Sequence, residues 1–202
     1  MSIIVSKPEN EGSFEQIQPG TYQAVCYGIW DIGVQITTWE GQEKQQPKIV
    51  IAWELNENMK EGDNAGKRFT ISKRYTKSLG DKANLTKDLQ SWRGKPFTEE
   101  ELRGFDLETI LGVNCQLGII HNESNGKTYS NISSISSLMK GMPEMTAQNP
   151  SVMPEWVQKV QAKAVPVMTG SPDDIGMDEQ AKAELDQVVD PFSDMPTGQV
   201  TF

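Results

Sequence analysis

The sequence predicts a mainly β fold: a five-stranded OB-type Greek-key barrel with a helical insertion between strands 3 and 4, plus a disordered acidic C-terminal tail. Three observations carry this. Segments rich in β-branched and aromatic residues come as three before residue 77 and two after residue 113. The stretch between them has helical spacing instead of alternation. From Met139 the texture shifts to Pro and Met, and then to acids. The chain divides into an N-terminal arm (1–18), a barrel domain (19–139), and a linker with an acidic interaction tail (140–202).

The elements follow in order. Pro19-Gly20 is a turn signal, and TYQAVCYGIWDIGVQITTW after it is too long for a flat strand. Gly28 and Gly33 let it bend. In PKIVIAWELNE, Ile49, Ile51, Trp53 and Leu55 alternate onto one face, and Lys48, Val50, Ala52 and Glu54 take the other. In RFTISKRYT, Phe69 and Ile71 face the core, while Arg68 and Arg74 share the outer face. A helix then runs through Leu85, Leu89 and Trp92, capped by Ser78 or Asp81 and stopped by Gly94. Thr98 with Glu101 reads as the capping box of a second short helix, and LETILG as one more turn. NCQLGIIHN and KTYSNISSISSL form a hairpin around Glu-Ser-Asn-Gly. Beyond them, PEWVQKVQAKA fits a short amphipathic helix starting at Pro154, with Trp156, Val157 and Val160 on one side.

Charge is distributed unevenly. From residue 171 onward, Asp173, Asp174, Asp178, Glu179, Glu184, Asp186, Asp190 and Asp194 face only Lys182, so the tail holds −7 of the net −9. Residues 67–95 hold Lys67, Arg68, Lys73, Arg74, Lys77, Lys82, Lys87, Arg93 and Lys95 against Asp81 and Asp88, a net +7. A basic middle and an acidic end are thus averaged into an acidic whole.

Several function classes lack their residues. There is no phosphate-cradling glycine loop. One histidine, His121, beside a hairpin turn, and two separated cysteines, Cys26 and Cys115, give no triad and no metal spacing. Both cysteines sit in strands, where a free thiol is a small buried apolar group. The acids of TEEEL are explained by a helix dipole. No enzyme, cofactor or metal is expected. No apolar run reaches 18 residues and the first residues lack the apolar core of a signal peptide, so the expectation is a cytosolic protein with no membrane partner.

A binding constellation remains. Single-stranded nucleic acid is held by cations that track phosphates and aromatic faces that stack on bases. The candidates are Tyr27, Trp30, Trp39, Trp53 and Tyr75, with Arg68, Lys73, Arg74 and Lys77. Trp53, on the apolar face of its strand, and Trp92, in the Leu85/Leu89 register, suit the core better. Trp39 stands beside a polar turn, which suits exposure. Tyr27 and Trp30 fall on opposite faces of a regular strand, which would leave one of them outside.

The segment from Ser78 to Leu138 resembles a family of small phage-encoded proteins. The likeness rests on Tyr75 to Leu79, Ser91 to Gly94, Phe97 to Glu101, Phe105-Asp106, Leu111-Gly112 and Lys127 to Tyr129, with Trp53-Glu54-Leu55 upstream. It spans about residues 19–138, and the Trp-Arg-Gly, Phe-Thr, Phe-Asp block is its most specific part. Described members are phage single-stranded DNA-binding proteins of OB fold. The resemblance implies that fold and role, in replication or recombination within a bacterial cytoplasm, and assigns no individual contact residue.

The tail bears a weaker likeness to the acidic, Pro-Phe-ending tails by which bacterial single-stranded DNA-binding proteins recruit partners. Asp190, Phe192, Asp194 and Phe202 are its candidates, although no Asp cluster abuts Phe202 and Pro196 lies upstream of it. A polyanion there could also compete with nucleic acid for the basic face. The alternative is a protein-interaction module or host inhibitor that binds no nucleic acid; the basic middle argues against a DNA mimic.

Overall fold

A computed structural model of the chain describes residues 15–39 and 42–166. Five antiparallel strands, β1 (Gly20–Trp39), β2 (Gln42–Asn58), β3 (Arg68–Thr76), β4 (Asn114–Ser124) and β5 (Lys127–Ser137), form one sheet in the order β3-β2-β1-β4-β5. Between β3 and β4 lie helix α1 (Asn84–Arg93), the short helix α2 (Glu99–Arg103) and a 3₁₀ turn, Leu107–Ile110. A third helix, α3 (Glu155–Gln161), follows β5.

Local chemistry explains most boundaries. The register of β1 against β2 shifts between Cys26 and Gly28 and again between Asp31 and Val34, so the long strand bends at both expected glycines. Gly33 has φ 70°, and a Cβ at Gly28 would lie 2.2 Å from the Trp30 ring. The β4–β5 hairpin closes through Asn125 (φ 51°) and Gly126 (φ 73°), the left-handed pair such a two-residue turn needs. Thr98 and Glu101 form the expected capping box. Neither Ser78 nor Asp81 caps α1: the helix begins later, after an extended Ala83 with no side-chain cap, and ends on left-handed Gly94. β2 begins five residues earlier than expected, because Gln42–Pro47 pair with Val34–Trp39 as a two-stranded ribbon with no β3 partner.

The main core lies on one face. Ala24 and Cys26 of β1, Ile49, Ile51, Trp53 and Leu55 of β2, and Phe69, Ile71 and Tyr75 of β3 meet Cys115, Leu117 and Ile119 of β4 and Ile132 and Ile135 of β5. α1 adds Leu85, Leu89 and Trp92 to this core. The Trp92 ring lies 5.7 Å from that of Trp53, and its Nε1 donates to the Asn114 carbonyl at 3.0 Å.

The sheet does not close. No ladder joins β3 to β5, so the closed part of the expected barrel is absent and the fold is an open, strongly bent five-stranded sheet. Two other segments straddle the gap. α1 packs on both edge strands: Ser91 donates to the Ile135 carbonyl of β5 (2.6 Å), and Asp88 accepts from Lys73 (2.8 Å) and Tyr75 (2.7 Å) of β3. The second is the N-terminal segment. Glu15 accepts from the Lys60 and Glu61 amides after β2, Gln16 donates to the Thr128 carbonyl of β5, and Ile17 enters the core. His121 lies 2.8 Å from the Ile17 carbonyl, a structural use of the single histidine.

A second apolar layer covers the opposite face. Tyr27, Trp30 and Ile32 of β1 and Val50 and Ala52 of β2 pack against Val157 and Val160 of α3, with Ala147, Met153 and Trp156 at the margin. The expected helix after Pro154 is present. Of the stretch read as linker and tail, residues 140–166 are described, and they lie across this face. Both faces of β1 and β2 are apolar enough to need cover, and strand alternation cannot tell which outer residues receive it. No helix among the described residues is long and apolar enough to cross a membrane.

Burial sets the thiol chemistry. It pushes the Cys26 thiol up to about 12, and raises Cys115 as well, with each other's proximity adding to the latter. Unfolded thiols lose their protons from about pH 8.5, whereas the folded ones keep theirs. Stability is therefore expected to fall as pH rises past that value, by about 1–2 kcal/mol per thiol at pH 10. Neither cysteine should react with an alkylating reagent in the native protein at pH 8, and both should react in denaturant. Rapid native labelling of either would contradict the buried placement.

Candidate nucleic-acid interface

The alternation of β3 divides its residues as expected, but neighbours change what each one can do. Lys73 and Tyr75 share the inward parity of Phe69 and Ile71. Lys73 pairs with Asp88 of α1 at 2.8 Å and lies 5.4 Å from the Tyr75 ring centroid. Tyr75 is buried, with its hydroxyl on the same carboxylate. These two join β3 to α1, and Tyr75 offers no face for a base.

On the outer side, Arg68 donates to Glu54 at 2.8 Å and to the Thr146 carbonyl at 2.9 Å. Glu54 is fully buried, in the middle of β2. Its carboxylate also accepts from the amides of Gln148 (3.0 Å) and Asn149 (2.9 Å) and from the Asn149 side chain (2.7 Å). A buried carboxylate requires such a set of donors. Arg74 is half-buried and has interactions of its own. Lys77 is exposed and reaches Asp31 at 2.7 Å. Burial by itself would raise the Asp31 carboxyl, but hydrogen bonds from Lys77 and the Gly33 amide hold it below the ordinary range. Both partners are about half exposed, so the pair adds little to stability and leaves Lys77 able to exchange partners.

The expected aromatic platform is not displayed. Trp53 has no exposed surface and belongs to the main core, as its face predicted. Tyr27 and Trp30 are both buried, as an edge-to-face pair 5.9 Å apart. The bulge after Cys26 puts them on the same side of β1, where a regular strand would have separated them, and α3 covers both. Burial pushes the Tyr27 hydroxyl up to about 12, only partly offset by a hydrogen bond with Thr70, with Glu54 and Cys26 pushing further upward. The Trp39 side chain lies outside the described residues, as do Asp190, Phe192, Asp194 and Phe202.

The exposed cations of the basic stretch are Lys67, Lys77, Lys82, Lys87 and Lys95. They stand at the two ends of β3, before and along α1, and just after it. Arg93 is not among them. Its guanidinium lies 4.5 Å from the Phe97 ring centroid and 5.0 Å from that of Phe105, and pairs with Glu101. Glu101 in turn completes the Thr98 capping box, and Asp106 accepts from the Glu108 amide to start the 3₁₀ turn. The most specific block of the phage-protein resemblance is thus a packing and capping unit that holds the helical insertion together.

Sequence reasoning missed Glu54 and the segment 143–149, which Glu54 holds at Gln148 and Asn149 while Gln23, Asn114 and Arg68 hold the rest. The available signal was an acid between Trp53 and Leu55 in the apolar run 49–55 of β2, since a buried carboxylate needs a cation or other donors. Comparison with protein-family models and with curated proteins gives no match for this chain.

Proposed function

We propose that this chain is a single-stranded DNA-binding protein, of the kind a phage uses in replication or recombination, that coats and protects the strand in the host bacterial cytoplasm. The acidic tail serves to recruit replication or recombination proteins. The observation that carries the reading is the set of exposed lysines 67, 77, 82, 87 and 95 along the flank made by β3 and α1 of an otherwise acidic chain. The strand order, with helices inserted after β3, agrees with an OB-type barrel opened along one seam, and such barrels bind along strands 2 and 3. The phosphates would track this flank, with base stacking secondary because most of the candidate rings are buried.

Binding of a fluorescent dT oligonucleotide, followed by anisotropy at several salt concentrations, tests this. Affinity should fall steeply with salt and should exceed that for duplex of equal length. Changing Lys77, Lys82 and Lys87 together to Gln should weaken binding on the order of tenfold to a hundredfold and make the salt slope shallower by about 2. Unchanged affinity and slope would remove this flank from the interface. Indole fluorescence is a poor first readout, since Trp53 and Trp92 are buried in the core.

The second reading, a protein-interaction module without nucleic acid, draws on exposed Leu111, Val113 and Met139. Val113 and Met139 lie just beyond the last paired residues of β4 and β5, at one end of the hairpin. Absence of oligonucleotide binding at low salt would favour it.

A further inference from the structure

Resting on the single-strand reading, we propose that Tyr27 and Trp30 form a base-stacking surface and that residues 143–165 are a strap that leaves it when the strand binds. The strap occupies the outer face of β1 and β2, next to β3. Beneath it are an aromatic pair and an arginine, the groups that hold bases and phosphates.

The strap meets these groups as a strand would. The Thr146 carbonyl takes a hydrogen bond from Arg68 at 2.9 Å, in the role of a phosphate oxygen. Val157 and Val160 cover Tyr27 and Trp30 with apolar surface, in the role of bases. Arg68 also neutralises Glu54, so the acid left behind by a departing strap keeps its cation and exchanges the Gln148 and Asn149 donors for water.

The attachment is of a kind that can be exchanged. Across the sheet face the strap is held by hydrogen bonds with the side chains of Gln23, Glu54, Arg68 and Asn114, and it joins no ladder beyond one isolated bridge, Val34 to Val165. Its helix has seven residues, too few to be stable alone, and Pro154 gives it no side-chain cap. The strap therefore holds its shape only while seated, and release converts it to a linker before the acidic tail.

Two measurements test this. The Val34–Val165 bridge is antiparallel, which puts the two Cα atoms at about 4.5–5.5 Å, within disulfide range. In the full chain carrying Val34→Cys and Val165→Cys, the oxidised form should bind a dT oligonucleotide at least about tenfold more weakly than the reduced form. In the wild-type chain, hydrogen exchange at the Gln148, Asn149 and Val160 amides should speed up on saturation with the oligonucleotide. Equal affinity of the two redox forms, or unchanged or greater protection of those amides, overturns the strap and leaves the lysine flank standing. Absence of binding in both redox forms and in the wild type overturns the single-strand reading and the strap with it.

Discussion

Glu54→Ala is expected to destabilise the protein by about 3–5 kcal/mol, as the removal of one partner from a buried charge pair does. The carboxylate holds Arg68 on β3 and the amides of Gln148 and Asn149, so its loss strands several donors at once. A further part of the loss is that β2 and the covering segment no longer share an anchor. Glu54→Gln keeps the shape and one acceptor oxygen and should cost less. Urea unfolding of the three proteins checks this, with a double-mutant cycle through Arg68→Met to isolate the pair. A loss below about 1 kcal/mol for Glu54→Ala would be the size of an exposed pair, and would mean that the carboxylate is not buried as described.

Trp92→Ala should cost about 3–5 kcal/mol by the same measure, through a cavity in place of a packed indole. The position is unusually exposed to such a loss of packing. Trp92 lies on α1, which takes the place of the missing β3–β5 ladder, and it packs at a tilt against Trp53 while its Nε1 ties α1 to the start of β4. For a domain of this size the thermal midpoint should drop by roughly 10 °C or more. Trp92→Phe keeps much of the packing and forfeits the hydrogen bond, so it should fall between the two. A thermal melt of Trp92→Ala within about 2 °C of wild type would show that α1 does not hold the seam.

Much of the architecture was legible because it rests on short-range chemistry. Period-two alternation put Ile49, Ile51, Trp53 and Leu55 on one side of β2, and the core is there. Asn125-Gly126, Gly94 and Thr98 with Glu101 marked a turn, a helix end and a helix start through backbone and capping preferences that act within a few residues. The apolar spacing after Pro154 announced α3.

The candidate site was less legible. Alternation says that two residues share a face and says nothing of what covers that face. Tyr27 and Trp30 were assigned to opposite sides because a bulge, which shifts parity by one residue, depends on the partner strand. Arg68 and Lys73 read as surface cations until the fold brought Glu54 and Asp88 to them from 14 and 15 residues away.

Composition and local pattern thus determined a five-stranded antiparallel fold with helices after its third strand, a basic centre and an acidic end. Tertiary structure alone decided that the seam between β3 and β5 is spanned by α1 and by residues 15–17, and that residues 143–165 lie over the aromatic face. The physical reason is range: turns, caps and alternation are settled among near neighbours, whereas burial and ion pairing depend on which distant segments the fold brings together.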